Sequence, residues 1–339
     1  MSKVLVTGGA GFMGSHVAEV LVERGEQVVV LDDLSGGFVE NIPEGAVFIE
    51  GSITDEKLVK SIFADHEFAH VYHLAAYAAE GLSHFIKKFN YENNLIGSVN
   101  LINASVNHNV KCFVFTSSIA VYGKNQLPMT EEMVPLPEDS YGIAKLAVEQ
   151  ELKISREIFG LDYIIFRPHN VYGERQNIGD RYRNVVGIFM NQIMQELPMT
   201  IFGDGEQTRA FTYIQDVASV IAEAPYKPLA RNQVFNIGAD TPYTVNELAR
   251  QVANALGAPV HVRHLEERHE VKHAFASHKR LQECFGYAPK FPLHDGLNRM
   301  ASWVRAIGAK RSKLFANVEI MKNMPKSWQE ELLINKGRG

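Results

Sequence analysis

The fold of this chain is decided near its start by Lys3-Val4-Leu5-Val6-Thr7-Gly8-Gly9-Ala10-Gly11-Phe12-Met13-Gly14. A short apolar run meets glycines at every third position, Gly8, Gly11 and Gly14, and an apolar pattern of helical period follows. Glycines at this spacing allow a tight bend, close approach of the backbone to a pyrophosphate, and close packing of helix on strand. The free N–H groups at the helix start favour an anion, as does the helix dipole. The stretch therefore predicts the phosphate-binding turn of a dinucleotide site.

The acidic pair after the second predicted strand indicates which dinucleotide is bound. Residues 27–31 form that strand, and Asp32-Asp33 follow it. A carboxylate about 20 residues beyond the glycines accepts hydrogen bonds from the adenine-ribose hydroxyls. Negative charge there repels the extra phosphate of NADP, and no arginine lies between Asp32 and Gly45 to offset it. We therefore predict NAD as the cofactor.

Length, composition and charge exclude several classes of protein. The 339 residues suffice for about two domains. An apolar fraction of 46% and a charged fraction of 22% are typical of globular proteins. The net charge of −5, without a basic block, argues against nucleic-acid binding. We expect no membrane span, because no apolar run is long enough, and a cytoplasmic location, because Met1-Ser2-Lys3 leads directly into the first strand.

The two cysteines give no sign of a metal centre. Cys112 and Cys284 lie far apart and lack the spacing of metal ligands. Cys112 belongs to an apolar run and is interpreted as buried packing. We predict no bound metal.

The alternation of strands with helices predicts the fold class. Apolar strand patterns occupy residues 3–7, 27–31, 47–50, 70–74, 112–116 and 163–167. Helical patterns lie between them, the longest at about 85–107 and 141–159. This rhythm predicts an α/β fold, a Rossmann-type doubly wound parallel sheet, with a smaller mixed α/β C-terminal substrate-binding region. Ligands of such sheets bind beyond the carboxyl ends of the strands, where Gly8, Asp32, Ala75, Ser118 and His169 fall.

The rhythm breaks after Tyr172, which suggests a domain boundary. We assign residues 1–170 to the Rossmann domain, with segments near 210–240 returning to it. Residues 171–209 and 241–309 are assigned to the substrate-binding region, which includes a helix-like 245–256, and a strand-like 234–237 lies in the returning segment. Residues 310–339 form a tail with a helical piece at 327–334 and no assigned role.

A serine, a tyrosine and a lysine suggest hydride-transfer chemistry. Tyr141 and Lys145 open a helix and lie on one face, one turn apart. An upstream strand ends in Thr116-Ser117-Ser118, which brings a hydroxyl to the same edge of the sheet. A tyrosine acting as base at neutral pH needs its pKa lowered by about 3 units from 10, which a neighbouring ammonium and a positive nicotinamide ring both favour. Ser118 would hydrogen-bond the substrate oxygen as it changes between alcohol and ketone.

These motifs together resemble the extended short-chain dehydrogenase/reductases, in particular the NAD-dependent nucleotide-sugar epimerase/dehydratase group. The resemblance covers about residues 1–300. Its ordered motifs are TGGAGFMG (7–14), HLAA (73–76), YENN (91–94), SSIAVYG (117–123), the Tyr141/Lys145 pair, RPHNVYG (167–173) and FGDGEQTR (202–209). It implies Ser118, Tyr141 and Lys145 as catalytic residues and a homodimer formed through the two long helices.

The resemblance also implies which residues bind the ligands. It places the backbones of Ala75 and Ala76 against the cofactor, Asn94 beside it and Pro168 under the nicotinamide. The full predicted cofactor set is Gly8, Gly11, Phe12, Met13, Gly14, Asp32, Asp33, Leu34, Ser35, Ser52, Ile53, Leu74, Ala75, Ala76, Asn94, Thr116, Tyr141, Lys145 and Pro168. The substrate set is Ser118, Asn170, Arg209 and Arg268, the two arginines clamping the diphosphate. Ser52 departs from the usual aspartate of the family, and Ser277 stands where an aspartate is common.

The residues after Ser118 narrow the reaction that the resemblance implies. Related 4,6-dehydratases carry Asp-Glu there, decarboxylases a Glu, and GDP-mannose 3,5-epimerases a Cys where this chain has Ala120. Ile119-Ala120 cannot transfer protons. What remains is reversible oxidation at one carbon, most simply C4 epimerisation of a UDP-hexose or its uronate. A nucleotide-sugar dehydrogenase or reductase, another nucleotide-sugar epimerase, and a non-catalytic NAD-sensing protein stay as alternatives.

Overall fold

The computed structural model describes residues 2–268, 270–312 and 314–336, and fourteen strands lie within them. In chain order they are β1 Lys3–Thr7, β2 Gln27–Asp32, β3 Val47–Glu50, β4 His70–His73, β5 Cys112–Thr116, β6 Tyr163–Pro168, β7 Val171–Tyr172, β8 Met199–Phe202, β9 Thr208–Ala210, β10 Thr212–Tyr213, β11 Gln233–Ile237, β12 Pro242–Thr244, β13 Val262–Leu265 and β14 His273–Ala274.

The same residues form twelve α-helices. They are α1 Phe12–Glu23, α2 Glu56–Asp65, α3 Glu80–Ser83, α4 Lys87–Tyr91, α5 Gly97–Asn107, α6 Ser140–Phe159, α7 Val185–Met194, α8 Ile214–Glu223, α9 Val245–Ala255, α10 Lys279–Phe285, α11 Leu293–Ile307 and α12 Lys326–Lys336. A π-helical turn, Glu92–Ile96, joins α4 to α5, so the helical path predicted from residue 85 begins at Lys87.

Seven parallel strands form the main sheet in the order β11-β6-β5-β4-β1-β2-β3. Their side chains alternate between two apolar layers. Val4 and Val6 of β1 lie in one layer with α1 and α8, and Leu5 lies in the other with α2, α5 and α6. Helices therefore cover both faces, and the predicted Rossmann-type sheet is confirmed.

The later part of the chain divides between this sheet and smaller ones. Strand β11 extends the main sheet beside β6, and α8 packs on α1. Strands β8 and β13 pair, and β12, β9 and β14 form a three-stranded sheet. The domain limits set out above remain our proposal. The predicted tail helix lies within α12, while Lys313 and residues 337–339 of that tail lie outside the described residues.

Cys112 is buried in the first apolar layer, and burial raises the pKa of its thiol to about 12. This agrees with its interpretation as packing. In the part of the chain that the structure describes, no helix is both long and apolar enough to span a bilayer. Nor do His, Cys, Asp or Glu side chains of those residues gather in a set of three suited to a metal ion.

Candidate active site

The carboxyl edge of the main sheet borders a large cavity with a volume of about 500 Å³. Every residue of the predicted cofactor and substrate sets lines this cavity except Leu34 and Asn94. These residues come from positions 8 to 268 of the chain. Most of them follow the ends of the parallel strands, which all finish at this edge, whereas Arg209 on β9 and Arg268 after β13 come from the smaller sheets.

Two glycines of the first turn are required by close backbone contacts. Gly8 has a φ of +73°, and a Cβ there would lie 2.6 Å from the backbone nitrogen of Ala75. A Cβ on Gly14 would lie 2.0 Å from the carbonyl oxygen of Gly8. Both clashes are with backbone atoms, which cannot move aside cheaply. The turn thus holds the start of α1 against the ends of β1 and β4.

The start of α1 provides an anion site. Gly11 precedes the helix without any side-chain cap, and the first turn carries no acidic residue. The first-turn residues Phe12, Met13 and Gly14 line the cavity, so their N–H groups border it with no cap side chain bound to them. This is the arrangement that a pyrophosphate requires.

Asp32 lies at the end of β2, where the sequence places the ribose-binding acid. Its carboxylate accepts hydrogen bonds from the backbone nitrogens of Ala10 (3.0 Å) and Leu34 (2.9 Å). Burial raises the pKa of this carboxyl, and these backbone hydrogen bonds oppose the rise. The side chain is therefore held rigidly against the glycine turn while it lines the cavity. Asp33 accepts from the backbone nitrogen of Ser35 (2.9 Å).

The two predicted residues that do not line the cavity have identifiable places. Leu34, with a φ of +57°, turns the chain after Asp32. Asn94 is 1% exposed and lies behind the cavity wall. Its side chain accepts from the backbone nitrogen of Tyr77 (2.8 Å) and donates to the carbonyl of Tyr77 (3.1 Å). It therefore holds the segment after β4 in place.

Ser118, Tyr141 and Lys145 converge at the inner end of the cavity. The Ser118 hydroxyl lies close enough to the phenol of Tyr141 to lower its pKa, and it accepts from the backbone nitrogen of Ala120 (3.1 Å). Lys145 is 2% exposed, and its Nζ donates to the carbonyl oxygen of Thr116 (2.8 Å). That Nζ lies 5.7 Å from the centre of the Tyr141 ring. The spacing predicted from the helix period is thus present.

The ionisation of these groups differs from the expectation at Tyr141. Burial raises the pKa of Tyr141, and the nearby Asp139 and Glu80 raise it further, whereas Ser118 and Arg183 lower it. Burial also lowers the pKa of Lys145 to about 7. The side chains alone therefore do not supply the lowered tyrosine pKa expected from the sequence, because desolvation outweighs their charges.

A buried ion pair between Glu149 and Arg167 joins α6 to the main sheet. Glu149, one turn beyond Lys145, accepts from Arg167 at 2.9 and 2.5 Å and from the hydroxyl of Ser117 at 2.6 Å. Arg167 also donates to the phenol oxygen of Tyr122 (2.7 Å). This pair ties α6 to the ends of β5 and β6, and hence fixes Ser118 relative to Lys145. Sequence reasoning missed it because neither residue stands in a recognisable spacing.

The two predicted clamp arginines meet at a second part of the cavity wall, around Glu270. Arg268 donates to Glu270 (3.2 Å), and the Nη2 of Arg209 lies 3.9 Å from the same carboxylate. Arg209 also donates to the carbonyls of residues 208, 271 and 272. Glu80, also missed, projects into the cavity near both arginines. The side chain of Glu80 borders the open cavity. Loss of water around its carboxyl, and then the negative charge of Asp139, raise its pKa to about 7.

A histidine pair stiffens the wall beyond Pro168. The Nε2 atoms of His169 and His278 lie 2.9 Å apart, Nδ1 of His169 lies 3.2 Å from the Ala210 carbonyl, and Nδ1 of His278 lies 2.6 Å from Asp240. Burial lowers the pKa of His169 to about 3, so this ring is neutral and links the Ala210 carbonyl to His278.

The parallel sheet and the cavity at its carboxyl edge are those of a dinucleotide-binding enzyme. The chain belongs to the NAD dependent epimerase/dehydratase family, whose model matches residues 4–238. The predicted family and the predicted cofactor, NAD, are thereby confirmed.

Relatives along most of the chain agree with this membership. The UDP-glucose 4-epimerase of Halalkalibacterium halodurans is 33% identical, over 85% of this chain and 91% of that protein. The crystal structure of the Thermotoga maritima UDP-glucose 4-epimerase with UDP-glucose has a TM-score of 0.85 and is 37% identical, over 90% of this chain and 99% of its own. The Thermus thermophilus UDP-glucose 4-epimerase complex with NAD has a TM-score of 0.85 and is 32% identical, over 89% and 99%.

Proposed function

We propose that this protein is an NAD-dependent epimerase that inverts C4 of a UDP-hexose, or of its uronate, through a transient 4-keto sugar. The observation that carries this proposal is the convergence of Ser118, Tyr141 and Lys145 on one part of the cavity. Next to it stand Ile119 and Ala120, which offer no proton-transfer group for elimination or decarboxylation. The named relatives agree with the prediction of a UDP-sugar 4-epimerase.

The residues present fit NAD. The uncapped start of α1 would hold the pyrophosphate, Asp32 the adenine ribose and Lys145 the nicotinamide ribose. When bound, the cofactor accepts and returns a hydride, and its positive ring lowers the pKa of a nearby phenol. The side chains around Tyr141 do not supply this lowering by themselves, because burial raises the tyrosine pKa by more than Ser118 and Arg183 lower it.

Each catalytic side chain has a distinct role in this scheme. Tyr141 takes the proton of the 4-hydroxyl and later returns it. Ser118 hydrogen-bonds the same oxygen as it changes between alcohol and ketone. Arg209 and Arg268 hold the diphosphate while the keto sugar turns over in the cavity, so binding energy remote from C4 keeps the substrate in place.

The experiment follows a deuterium label at C4 of the substrate and compares two variants, Tyr141→Phe and Tyr77→Phe. Purified protein is incubated with UDP-hexoses that carry deuterium at C4, and epimers are resolved by NMR. The label should stay at C4, and Tyr141→Phe should lower turnover by at least about 100-fold. Tyr77→Phe is the control, because Tyr77 also lines the cavity and the substitution keeps the ring on which Arg183 lies. Loss of the label to water, or full activity in Tyr141→Phe, would contradict the mechanism.

The alternatives are decided by the same incubation. A dehydrogenase would form NADH in proportion to substrate, and a reductase supplied with NADH would consume it in proportion to substrate. A non-catalytic NAD-sensing protein would turn over no member of a panel that includes neutral, N-acetyl and uronate UDP-sugars. An epimerase regenerates NAD in each cycle and leaves its absorbance unchanged.

We also propose that the protein is a cytoplasmic homodimer formed through α5 and α6. Ile143, Ile154 and Ile158 lie along one face of α6 and are 44%, 46% and 66% exposed, and Ile96 beside α5 is 51% exposed. Such a stripe suits a two-fold, self-complementary interface. Light scattering at micromolar concentration should give a dimer, and Ile158→Arg should shift it toward monomer. The free thiols Cys112 and Cys284 suit a reducing compartment.

A further inference from the structure

The segment after α11, residues 308–336 without Lys313, crosses the outer wall of the cavity, and we call it the C-terminal strap. It is anchored at both of its ends and in the middle. Asn191 of α7 accepts from the backbone nitrogen of Lys310 (2.8 Å) and donates to its carbonyl (2.9 Å). Glu319 accepts from the backbone nitrogens of Lys88 (2.8 Å) and Phe89 (2.9 Å). Met324, Trp328 and Leu332 are buried in one apolar cluster.

The strap packs on residues that themselves line the cavity. The ring of Phe315 lies 4.9 Å from that of Phe89 and 5.4 Å from that of Tyr77. Trp328 lies 5.1 Å from Tyr182 and 6.0 Å from Phe202. Phe89, Tyr77, Tyr182 and Phe202 all border the cavity. The strap is therefore the outer layer of the substrate end of the site.

Trp328 brings this layer into contact with a clamp arginine. The guanidinium carbon of Arg268 lies 4.0 Å from the centre of the Phe202 ring and 5.7 Å from that of Trp328. The far edge of the indole also approaches Gly81, where a Cβ would lie 3.8 Å from it and 3.7 Å from Arg268. Stacking on aromatic rings restricts the rotation of a guanidinium and leaves its N–H groups directed to an anion.

We propose that Trp328 is a positioning residue that holds Arg268 for the substrate diphosphate. This rests on the proposed function, which makes Arg268 a diphosphate ligand.

The test measures binding of UDP and of uridine by calorimetry in the full-length protein. Loss of one cation–π contact corresponds to about tenfold weaker binding. Trp328→Ala should weaken UDP by about that factor and leave uridine unchanged, because only UDP presents a diphosphate. Trp328→Phe should restore most of the affinity. Leu332→Ala, in the same cluster and one turn along α12, is the control for packing and should leave UDP binding near that of the parent. Equal loss of UDP and uridine, or an equal effect of Leu332→Ala, would overturn the proposal.

A second measurement holds even if Trp328→Ala does not fold. The chain has two tryptophans, so Trp303→Phe leaves Trp328 as the single tryptophan, whose emission is excited at a wavelength that tyrosine does not absorb. Its emission should change on UDP titration, whereas Trp328→Phe, which keeps Trp303, should show no change. A silent Trp328 while calorimetry shows UDP bound would overturn the positioning role alone. UDP binding that moves Trp328 without turnover of any UDP-sugar would refute the proposed function and leave the positioning role standing. A parent that does not bind UDP would refute both.

Discussion

Replacing Lys145 by methionine should stabilise the protein at neutral pH while it abolishes catalysis. Lys145 is 2% exposed, and burial lowers its pKa from 10.5 to about 7. At 1.36 kcal/mol per pKa unit, the ionised ammonium lowers the free energy of unfolding by about 4 kcal/mol at pH 7. Methionine keeps the apolar stem but loses the hydrogen bond to Thr116 and the contacts with two rings, which offset roughly 2 kcal/mol. We expect a net gain of about 2 kcal/mol.

The direction of the Lys145 pKa shift fixes how the stability difference between Lys145→Met and the parent changes with pH. The pKa of Lys145 in the folded protein lies below its unfolded value, so the penalty is absent above about pH 10.5. It grows as the pH falls toward 7 and is constant below that. The advantage of Lys145→Met should therefore be largest at pH 7 and below, and should vanish or reverse near pH 10.

The assay is denaturant unfolding at pH 7 and pH 10 of protein freed of dinucleotide, because bound cofactor would add its own free energy. Lys153→Met, on the same helix but only partly buried, is the control and should not change sign between the two pH values. Epimerase activity of Lys145→Met should be lost, since the variant cannot hold the nicotinamide ribose. A Lys145→Met variant that is less stable than the parent by the same amount at both pH values would refute the reasoning.

Two further predictions follow from the cavity. Gly14→Ala should lower stability and abolish dinucleotide retention, because its Cβ would lie 2.0 Å from a backbone oxygen. Gly11→Ala should destabilise the protein less, because its Cβ would lie 3.1 Å from the same oxygen. Thermal melts of both variants check this order, and equal melting temperatures would count against it. The pKa of Glu80 is raised to about 7 in the folded protein, so ionising this carboxyl destabilises the fold as the pH rises from about 4.5 through 7. Glu80→Gln removes the ionisable group. Its melting temperature should therefore exceed that of the parent at pH 8 but not at pH 4.5. A constant difference across that range would contradict this.

Local patterns predicted the parts of this protein in which neighbouring residues decide the structure. The glycine turn needs only residues 7–14 and the strand and helix on either side of it. Tyr141 and Lys145 share a face because a helix repeats every 3.6 residues. Carboxyl-end residues such as Asp32 and Ser118 could be placed in one site because all strands of a parallel sheet end at the same edge.

Tertiary structure alone decided the environment of these groups. The pKa of Tyr141 is raised and that of Lys145 lowered because the fold removes water from both, and no spacing in the sequence reports desolvation. Glu80 reaches the clamp arginines, and Trp328 reaches Arg268, across 60 to almost 190 residues of chain. Such contacts depend on how α3, α12 and the small sheets pack, which is set by the shape of the assembled layers rather than by any local period.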